Sequence, residues 1–379
     1  MNQSLIISAD RIFDGYCMHE NAQLVINNGL VDAIEPKTTQ ATQHIVGVLC
    51  PGFVDLQVNG GGGALLNTHH DVDGLKTMFN AHCQFGTTAM LPTLITDKIE
   101  VMVSAANAVA QAISSKQTGI IGVHFEGPHL SVAKKGAHSE KFIRTISDAE
   151  WQVLSRQDLG QVMVTVAPEN VSCDDIRRMV SLGIFVFLGH SNADFATAQA
   201  AIDAGACGFT HLYNAMSPMT SREPGMVGAA LLNDDATCGL IVDGLHVDYH
   251  ACQLALKTKP KGKVVLVTDA MSLVGTDIER FDFFDREIIR TGNQLNSTTG
   301  ELAGSVLDMM QAVRNTVEFI GLPLEEALRM ASLYPAQCLG LEQSRGHLVK
   351  GAYADFIALT NKLTVSHSWI GGALVLAVE

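Results

Sequence analysis

Eight short apolar segments recur through the middle of this 379-residue chain, and stretches with helical periodicity lie between them. Buried strands that alternate with helices are typical of a barrel of parallel strands. The sequence therefore predicts an α/β protein built on a (β/α)8 TIM-type barrel, with two further helices near residues 306–320 and 324–333. The predicted barrel strands are 53–58, 87–91, 120–125, 162–166, 184–188, 208–210, 238–242 and 264–268.

The two ends of the chain have a different pattern, because both are rich in short β-prone segments and in turn residues. We expect residues 1–50 and 345–379 to pair into a small β-sandwich domain formed from both termini. Residues 51–344 are then left for the barrel, which is the predicted catalytic domain.

Composition excludes several classes of protein. With 47% hydrophobic and 17% charged residues, the chain can bury a large core and is not expected to be disordered. A net charge of −14 argues against nucleic acid as a partner, although a small phosphorylated molecule needs only one or two local cations. Eight scattered cysteines, the lack of a signal-peptide pattern and the lack of a long apolar run lead us to expect a soluble cytoplasmic protein without membrane contact.

Six of the predicted strands are followed by residues that can bind a metal or exchange a proton. Active sites of parallel barrels lie at the carboxyl ends of the strands, so these side chains are expected to meet in one pocket. A single histidine after a strand is usually structural, but six strand ends of this kind favour a functional site. The residues are Glu126, Glu169, His190, His211, His246 and Asp269.

Glu126, His190 and His211 form a suitable ligand set for one divalent metal ion. A catalytic zinc ion commonly takes three ligands of the histidine and carboxylate type and keeps one position for water, whose pKa it lowers to about 7. Asp269 follows the last predicted strand and is suited to accept the proton of that water and to pass it to a leaving amine. The structural alternative for Asp269 is a helix N-cap.

The first predicted strand lacks the H-x-H pattern that anchors a second metal in many barrel hydrolases. In this chain the corresponding residues are Gln57 and Asn59, which share the face of the strand that points into the barrel. Amide side chains are poor zinc ligands. The sequence therefore predicts one bound metal and a vestigial second-metal position. His124 shares a face with Glu126, and we expect it to be a hydrogen-bonded core residue.

A series of motifs in register over almost the whole chain resembles the N-acetylglucosamine-6-phosphate deacetylases of the amidohydrolase superfamily. No single motif is specific, but eight in the same order are. They are 51–60 (PGFVDLQVNG), 124–128 (HFEGP), 134–138 (KKGAH), 189–192 (GHSN), 210–216 (THLYNAM), 222–225 (REPG), 243–246 (DGLH) and 267–270 (VTDA).

The resemblance implies hydrolysis of the acetamide of N-acetylglucosamine 6-phosphate to glucosamine 6-phosphate and acetate. It also implies a homodimer with one divalent metal ion per subunit. Zinc is the expected ion, and Fe²⁺, Mn²⁺ and Co²⁺ are the alternatives. By their positions in the motifs, Glu126, His190 and His211 are implied to bind the metal, and Asp269 to transfer protons. His138 is implied to support the carbonyl or the oxyanion. Arg222 and His246 are implied to bind the phosphate, and Asn214, Ala215 and Leu302 to contact the substrate. Gln57 and Asn59 match the single-metal branch of the family.

Three alternatives stay open at the level of sequence. A deacetylase for the galacto epimer differs only in contacts to one hydroxyl group. A dihydroorotase-like hydrolase has little support, because the H-x-H pattern and a bridging lysine candidate are both missing. A non-catalytic sugar-phosphate-binding barrel would be expected to have lost a ligand or the base, whereas all four residues are present here.

Overall fold

The computed structural model describes residues 4–284, 286–297, 300 and 302–377. The chain divides into two compact units. The first contains Met1–Asp55, His82–Ala89 and Asp308–Glu379, and the second contains Leu56–Ala81 and Met90–Leu307. The domain bounds expected from the sequence, 1–50 with 345–379 and 51–344, stay a prediction.

Twenty strands are described, and they are numbered in chain order. They are β1 (Ser4–Phe13), β2 (Met18–Asn27), β3 (Leu30–Pro36), β4 (Gln43–Pro51), β5 (Phe53–Val58), β6 (Gly60–Gly61), β7 (Ala64–Leu65), β8 (Thr87–Ile95), β9 (Gly122–Glu126), β10 (Gln161–Val166), β11 (Phe185–Leu188), β12 (Gly208–Phe209), β13 (Thr237–Leu240), β14 (Val264–Leu266), β15 (Arg280–Phe283), β16 (Arg286–Thr291), β17 (Gln294–Ser297), β18 (Phe356–Leu359), β19 (Val365–Ile370) and β20 (Ala373–Ala377).

Ten α-helices are described, with short 3-10 turns at Val132–Lys134 and Glu140–Phe142 and a π-helical turn at Thr316–Ile320. None of the described helices is long and apolar enough to cross a lipid bilayer. The α-helices are α1 (Val72–Cys83), α2 (Ile99–Ser114), α3 (Asp148–Leu154), α4 (Cys173–Ser181), α5 (Phe195–Asp203), α6 (Gly225–Leu232), α7 (Tyr249–Thr258), α8 (Met309–Asn315), α9 (Leu324–Ala331) and α10 (Leu333–Cys338).

The eight apolar segments form one parallel sheet in the order β5-β8-β9-β10-β11-β12-β13-β14. A parallel bridge between Val58 and Ala270, with the Asp269 N–H donating to the Gln57 carbonyl at 3.0 Å, joins the chain after the last strand to the end of the first. The predicted (β/α)8 barrel is confirmed. Strands β13 and β14 end two residues earlier than predicted, and the backbone at Asp269 turns left-handed with φ +51°.

Strands from both chain ends form a second sheet, as the sequence predicts. All seven are joined by hydrogen bonds in the order β20-β19-β18-β4-β1-β2-β3. Six of them contribute to one apolar cluster that includes Ile7, Leu24, Leu49, Phe356 and Trp369. The rings of Phe356 and Trp369 are stacked with centroids 4.6 Å apart, so β18 and β19 share one packed layer.

Helix α6 and a three-stranded sheet are among the elements that were not predicted from the sequence. Helix α6 has the sequence GMVGAALL and is almost wholly buried, so it lacks the polar face that reveals a surface helix. The three-stranded antiparallel sheet of β15, β16 and β17 has short strands in which charged residues are frequent. Its Phe283, Ile288 and Leu295 pack in one cluster with Ile95 and Met271.

Replacement of Leu240 by alanine is expected to destabilise the barrel. Leu240 ends β13 and is 0% exposed, and a cavity left by a buried leucine costs about 2–5 kcal/mol. Leu232→Ala is the matched control, because this leucine is 65% exposed at the end of α6 and its loss should cost less than about 0.5 kcal/mol. Denaturant unfolding measures both, and equal losses in the two variants would contradict the packing described here.

Candidate active site

Most of the site residues predicted from the sequence line one cavity at the carboxyl ends of the barrel strands. The side chains reach it from segments that directly follow β5, β9, β11, β12 and β14, and from the loops around His138, His246 and Leu302. The lining residues are Asn59, Ile95, Glu126, Gly136, Ala137, His138, His190, His211, Asn214, Ala215, His246, Asp269, Met271, Phe283, Leu302, Ala303 and Gly304.

Three ligand atoms form a tight triangle in this cavity. The Glu126 Oε1 atom lies 3.1 Å from His211 Nε2 and 3.3 Å from His190 Nε2, and the two Nε2 atoms are 3.0 Å apart. Ligands bound at about 2.0–2.1 Å to a tetrahedral ion lie roughly 3.3–3.4 Å from one another. The spacing and the donor types therefore fit a single divalent metal ion.

The tautomer of His190 supports the same conclusion. Its Nδ1 atom donates to the Lys134 carbonyl at 2.9 Å, so its Nε2 atom carries a lone pair that points at His211. Such an outer hydrogen bond is the usual way in which a metal-binding histidine is oriented. Two ring nitrogens that face each other at this distance need a cation or a proton between them.

The electrostatics of the triangle favour positive charge. Burial would raise the pKa of Glu126, but the adjacent imidazoles of His190 and His211 hold it well below its usual value. Burial lowers the pKa of His211, and the hydrogen bond and charge of Glu126, with the charge of Asp269, more than offset this and raise it. The carboxylate is thus an anion that attracts a cation to these atoms.

Asp269 is held by the two amides of the first strand. Its Oδ1 atom accepts from Gln57 Nε2 at 3.1 Å and from Asn59 Nδ2 at 2.7 Å. Gln57 Nε2 also donates to Glu126 Oε1 at 3.0 Å, so one amide bridges two buried carboxylates. Neutral N–H groups here stand between Glu126 and Asp269, at the position predicted to be a vestigial second-metal site.

The environment of Asp269 perturbs its proton affinity. Burial and the nearby charge of Glu126 raise its pKa above the usual range of an aspartate. A carboxyl group with a raised pKa is suited to both accepting and donating a proton.

Backbone strain is concentrated around the cavity. Four non-glycine residues that line it have left-handed backbone conformations: His190 (φ +48°), His211 (φ +34°), Ala215 (φ +50°) and Asp269 (φ +51°). Such conformations cost free energy for residues with a side chain and are frequent at functional sites. The surrounding barrel holds them in place.

Two further histidines on these segments differ in their surroundings. The Nδ1 atom of His138 is hydrogen-bonded to Thr96 Oγ1 at 2.9 Å. Its Nε2 atom lies 3.8 Å from Glu126 Oε2. His124 is bound to Thr165 Oγ1 at 2.7 Å, and burial lowers its pKa to about 4. His124 is therefore the hydrogen-bonded core residue that the sequence predicts, whereas His138 faces the cavity.

The remaining predicted contacts fall into two groups. Asn214, Ala215, His246 and Leu302 line the cavity. The His246 Nδ1 atom is held by Asp243 Oδ2 at 2.6 Å, which leaves Nε2 as its free ring nitrogen. Arg222 is exposed and is not among the residues that line the cavity. Glu169, which was predicted to meet the other strand-end residues, does not line it either and instead accepts from Ser191 Oγ at 2.6 Å.

Several contributors to the site were not found from the sequence. Ile95, Met271 and Phe283 form an apolar wall, and an isolated apolar side chain carries no sequence signal of this role. Thr96 and the Lys134 carbonyl orient His138 and His190, and backbone carbonyls are invisible to motif analysis.

The fold and the site together define a class of protein: a parallel α/β barrel with a metal-type histidine–carboxylate cluster at the carboxyl ends of its strands. A family model described as "Amidohydrolase family" matches residues 48–375. The chain therefore belongs to the amidohydrolase family.

Individual relatives agree with this assignment over nearly their full length. An N-acetylgalactosamine-6-phosphate deacetylase of Shewanella sp. (strain ANA-3) is 48% identical over 354 residues, 93% of this chain and 90% of the relative. An N-acetylglucosamine-6-phosphate deacetylase of Haemophilus influenzae is 34% identical and covers 95% and 96%. The crystal structure of N-acetylglucosamine-6-phosphate deacetylase from Pasteurella multocida superposes with a TM-score of 0.94 at 36% identity, over 98% and 99% of the two chains.

Replacement of His190 is expected to weaken metal binding, whereas replacement of His124 is not, although both are buried histidines of the barrel. His190→Gln removes an atom of the triangle and should weaken zinc affinity by more than about 100-fold, the upper end of what the loss of an outer partner costs. His124→Gln should leave it within a few-fold. Competitive titration against a chelating dye measures both affinities, and loss of zinc in the His124 variant would make that residue a ligand.

Proposed function

We propose that this protein hydrolyses the acetamide group of N-acetylglucosamine 6-phosphate and releases acetate and glucosamine 6-phosphate. The observation that carries the proposal is the position of Asp269, whose Oδ1 is fixed by Gln57 and Asn59 in the cavity that also contains the Glu126 triangle. Relatives at 34–39% identity that bear the name N-acetylglucosamine-6-phosphate deacetylase support this substrate.

Glu126, His190 and His211 would hold one divalent ion, and zinc suits two imidazoles and a carboxylate best. Fe²⁺, Mn²⁺ or Co²⁺ would fit the same donors. When bound, such an ion polarises the acetyl carbonyl and lowers the pKa of water so that it can attack at neutral pH.

Asp269 is assigned the proton transfers. Because both amide donors bind Oδ1, the Oδ2 atom is the one available to the reacting groups. It takes a proton from the attacking water and later delivers it to the amine nitrogen as the C–N bond breaks. The proton count then balances between acetate and the amino sugar.

His138 is assigned to the carbonyl oxygen of the acetyl group. Its Nδ1 atom is bound to Thr96, so its Nε2 atom is directed at the cavity near Glu126. This role requires the tautomer with the proton on Nε2, in which the Thr96 hydroxyl donates to Nδ1. Donors fixed before the reaction, and aimed at the oxygen that becomes negative, are usually the largest source of rate enhancement.

The phosphate and the sugar are assigned to the outer part of the cavity. We propose that His246 and the backbone N–H group of Ala215 bind phosphate oxygens, and that Asn214 and Leu302 contact the sugar phosphate. The backbone N–H of Asn214 donates to the His211 carbonyl at 3.0 Å and is not assigned to the phosphate. The side chain of Arg222 is exposed, and a guanidinium group can donate two parallel hydrogen bonds to a phosphate. It is the cation proposed to complete this site.

N-acetylgalactosamine 6-phosphate is the second candidate substrate. The 48% identical Shewanella relative, named for that activity, favours it. The two sugars differ only in the orientation of one hydroxyl group.

We also propose that the protein is a cytoplasmic homodimer, as implied by its resemblance to the family. Multi-angle light scattering should give twice the chain mass of 40.5 kDa, or about 81 kDa, and a mass equal to one chain would reject the dimer.

Asp269→Asn is expected to lower kcat by about 10²–10⁴-fold, because an amide cannot take up a proton from the attacking water. Bound metal should stay near the wild-type amount, measured by elemental analysis. Asp248→Asn is the control, since Asp248 caps α7 at the surface and asparagine caps equally well. Loss of the metal in the Asp269 variant would make this residue a ligand and would remove its assigned role.

An acetate-release assay on both phosphorylated epimers tests the substrate. We expect a higher kcat/KM for N-acetylglucosamine 6-phosphate, and no release from either sugar after treatment with a chelator until a divalent metal is returned. A preference for the galacto sugar would establish the second candidate. Absence of release from both sugars with metal present would support a non-catalytic sugar-phosphate-binding barrel.

A further inference from the structure

The connection between β1 and β2 brings three metal-ligating side chains together outside the barrel cavity. Asp14 Oδ2 lies 2.7 Å from His19 Nε2, and Cys17 Sγ lies 3.4 Å from each of these two atoms. Within the described parts of the chain, only this group and the barrel group containing Glu126 gather three such residues so closely. The Cys17 thiol is exposed, so ions and water can reach the group.

The connection is held from both sides. Asp14 Oδ1 accepts from the backbone N–H groups of Tyr16 and Cys17 at 2.7 and 2.8 Å, which directs Oδ2 at the other two side chains. The Asp14 N–H donates to the Cys17 carbonyl at 3.1 Å, and Arg329 donates to the carbonyls on the opposite side, those of Gly15 and Tyr16. The register of β1 with β2 pairs Ile12 with His19 and fixes the third side chain.

The donor types point to a particular class of ion. A thiolate, an imidazole and a carboxylate are ligands of zinc and of similar borderline ions, whereas calcium and magnesium prefer oxygen. With zinc at about 2.3 Å from sulfur and 2.0–2.1 Å from nitrogen or oxygen, roughly 3.5 Å separates sulfur from each of the other ligands. The observed sulfur distances of 3.4 Å agree with this value. Only the distance between Asp14 Oδ2 and His19 Nε2, which is now a hydrogen bond of 2.7 Å, has to lengthen when an ion binds.

We propose that Asp14, Cys17 and His19 form a second metal site, which takes one zinc-class ion and leaves its fourth position to water. The ion would fasten the start of β2 to the end of β1. The site lies in the sheet formed by the chain ends, it shares no residue with the barrel cluster, and it does not rest on the proposed function.

Binding has a defined proton balance. Slight desolvation by the neighbouring groups and the hydrogen bond to Asp14 raise the pKa of the Cys17 thiol, so the free thiol carries its proton at neutral pH. The ion replaces that proton, and the proton that His19 shares with Asp14 moves from Nε2 to Nδ1. One proton is therefore released to solvent for each ion bound, as expected when a metal coordinates a thiolate.

The alternative is that the three side chains form only a hydrogen-bonded turn. Cobalt(II) distinguishes the two, because a cobalt–thiolate bond has a charge-transfer absorption in the near ultraviolet. The barrel triangle contains no sulfur and cannot produce this band. The full chain, stripped of metal under reducing conditions, is titrated with cobalt and followed by absorption and by equilibrium dialysis.

The wild-type chain should bind two equivalents and develop the thiolate band with one of them. Cys17→Ser and His19→Gln should each lose the band and one equivalent, while keeping the other equivalent and the acetate-release activity. Cys173→Ser is the control, because its sulfur lies near the Ala200 carbonyl and belongs to no such group, and it should keep the band.

Two results would overturn the proposal. Binding of a single equivalent without a thiolate band would show that the group is only a hydrogen-bonded turn. Persistence of the band in Cys17→Ser would assign the sulfur ligand to another cysteine. Because Cys17 is exposed, its replacement is not expected to unfold the chain, and retention of the other cobalt equivalent, at the barrel triangle, checks this.

Discussion

The carboxylate of Glu126 is the interaction on which the active site depends. Its Oε1 atom accepts from Gln57 and lies within 3.3 Å of the imidazoles of His190 and His211, while Oε2 faces His138 at 3.8 Å. A buried anion of this kind is costly unless donors or a cation satisfy it. The barrel supplies the donors and gathers ligand atoms suited to a cation, because its strands all deliver their final side chains to the same end.

The site combines strain with rigid support. Left-handed backbones at His190, His211 and Asp269 turn side chains inward just where the strands stop pairing. Bridges between neighbouring segments, such as Ala270 with Ser305, tie these turns to the chain beside them. The free energy stored in the turns is therefore offset by the barrel as a whole. The amide of Gln57 separates Glu126 from Asp269 without adding charge.

The motifs shared with the family and the folded structure agree on most, but not all, of the substrate-binding residues. Position in the motifs assigned Asn214, Ala215, His246 and Leu302 to the substrate, and the structure brings all four to the cavity. Arg222 has the same kind of support from its motif, yet its side chain is exposed. Phe283, one residue of the apolar wall, comes from the unpredicted sheet of β15, β16 and β17, whose short charged strands gave no clear periodic signal.

The sequence by itself determined the barrel, the paired chain ends and the three side chains that meet in the Glu126 triangle, because buried parallel strands and their polar ends leave a pattern along the chain. Only the tertiary structure decided which atoms meet. The Lys134 carbonyl sets the tautomer of His190, and one amide of Gln57 bridges carboxylates 69 and 212 residues away. These contacts depend on distance and direction between remote segments, and residue spacing along a chain carries no record of either.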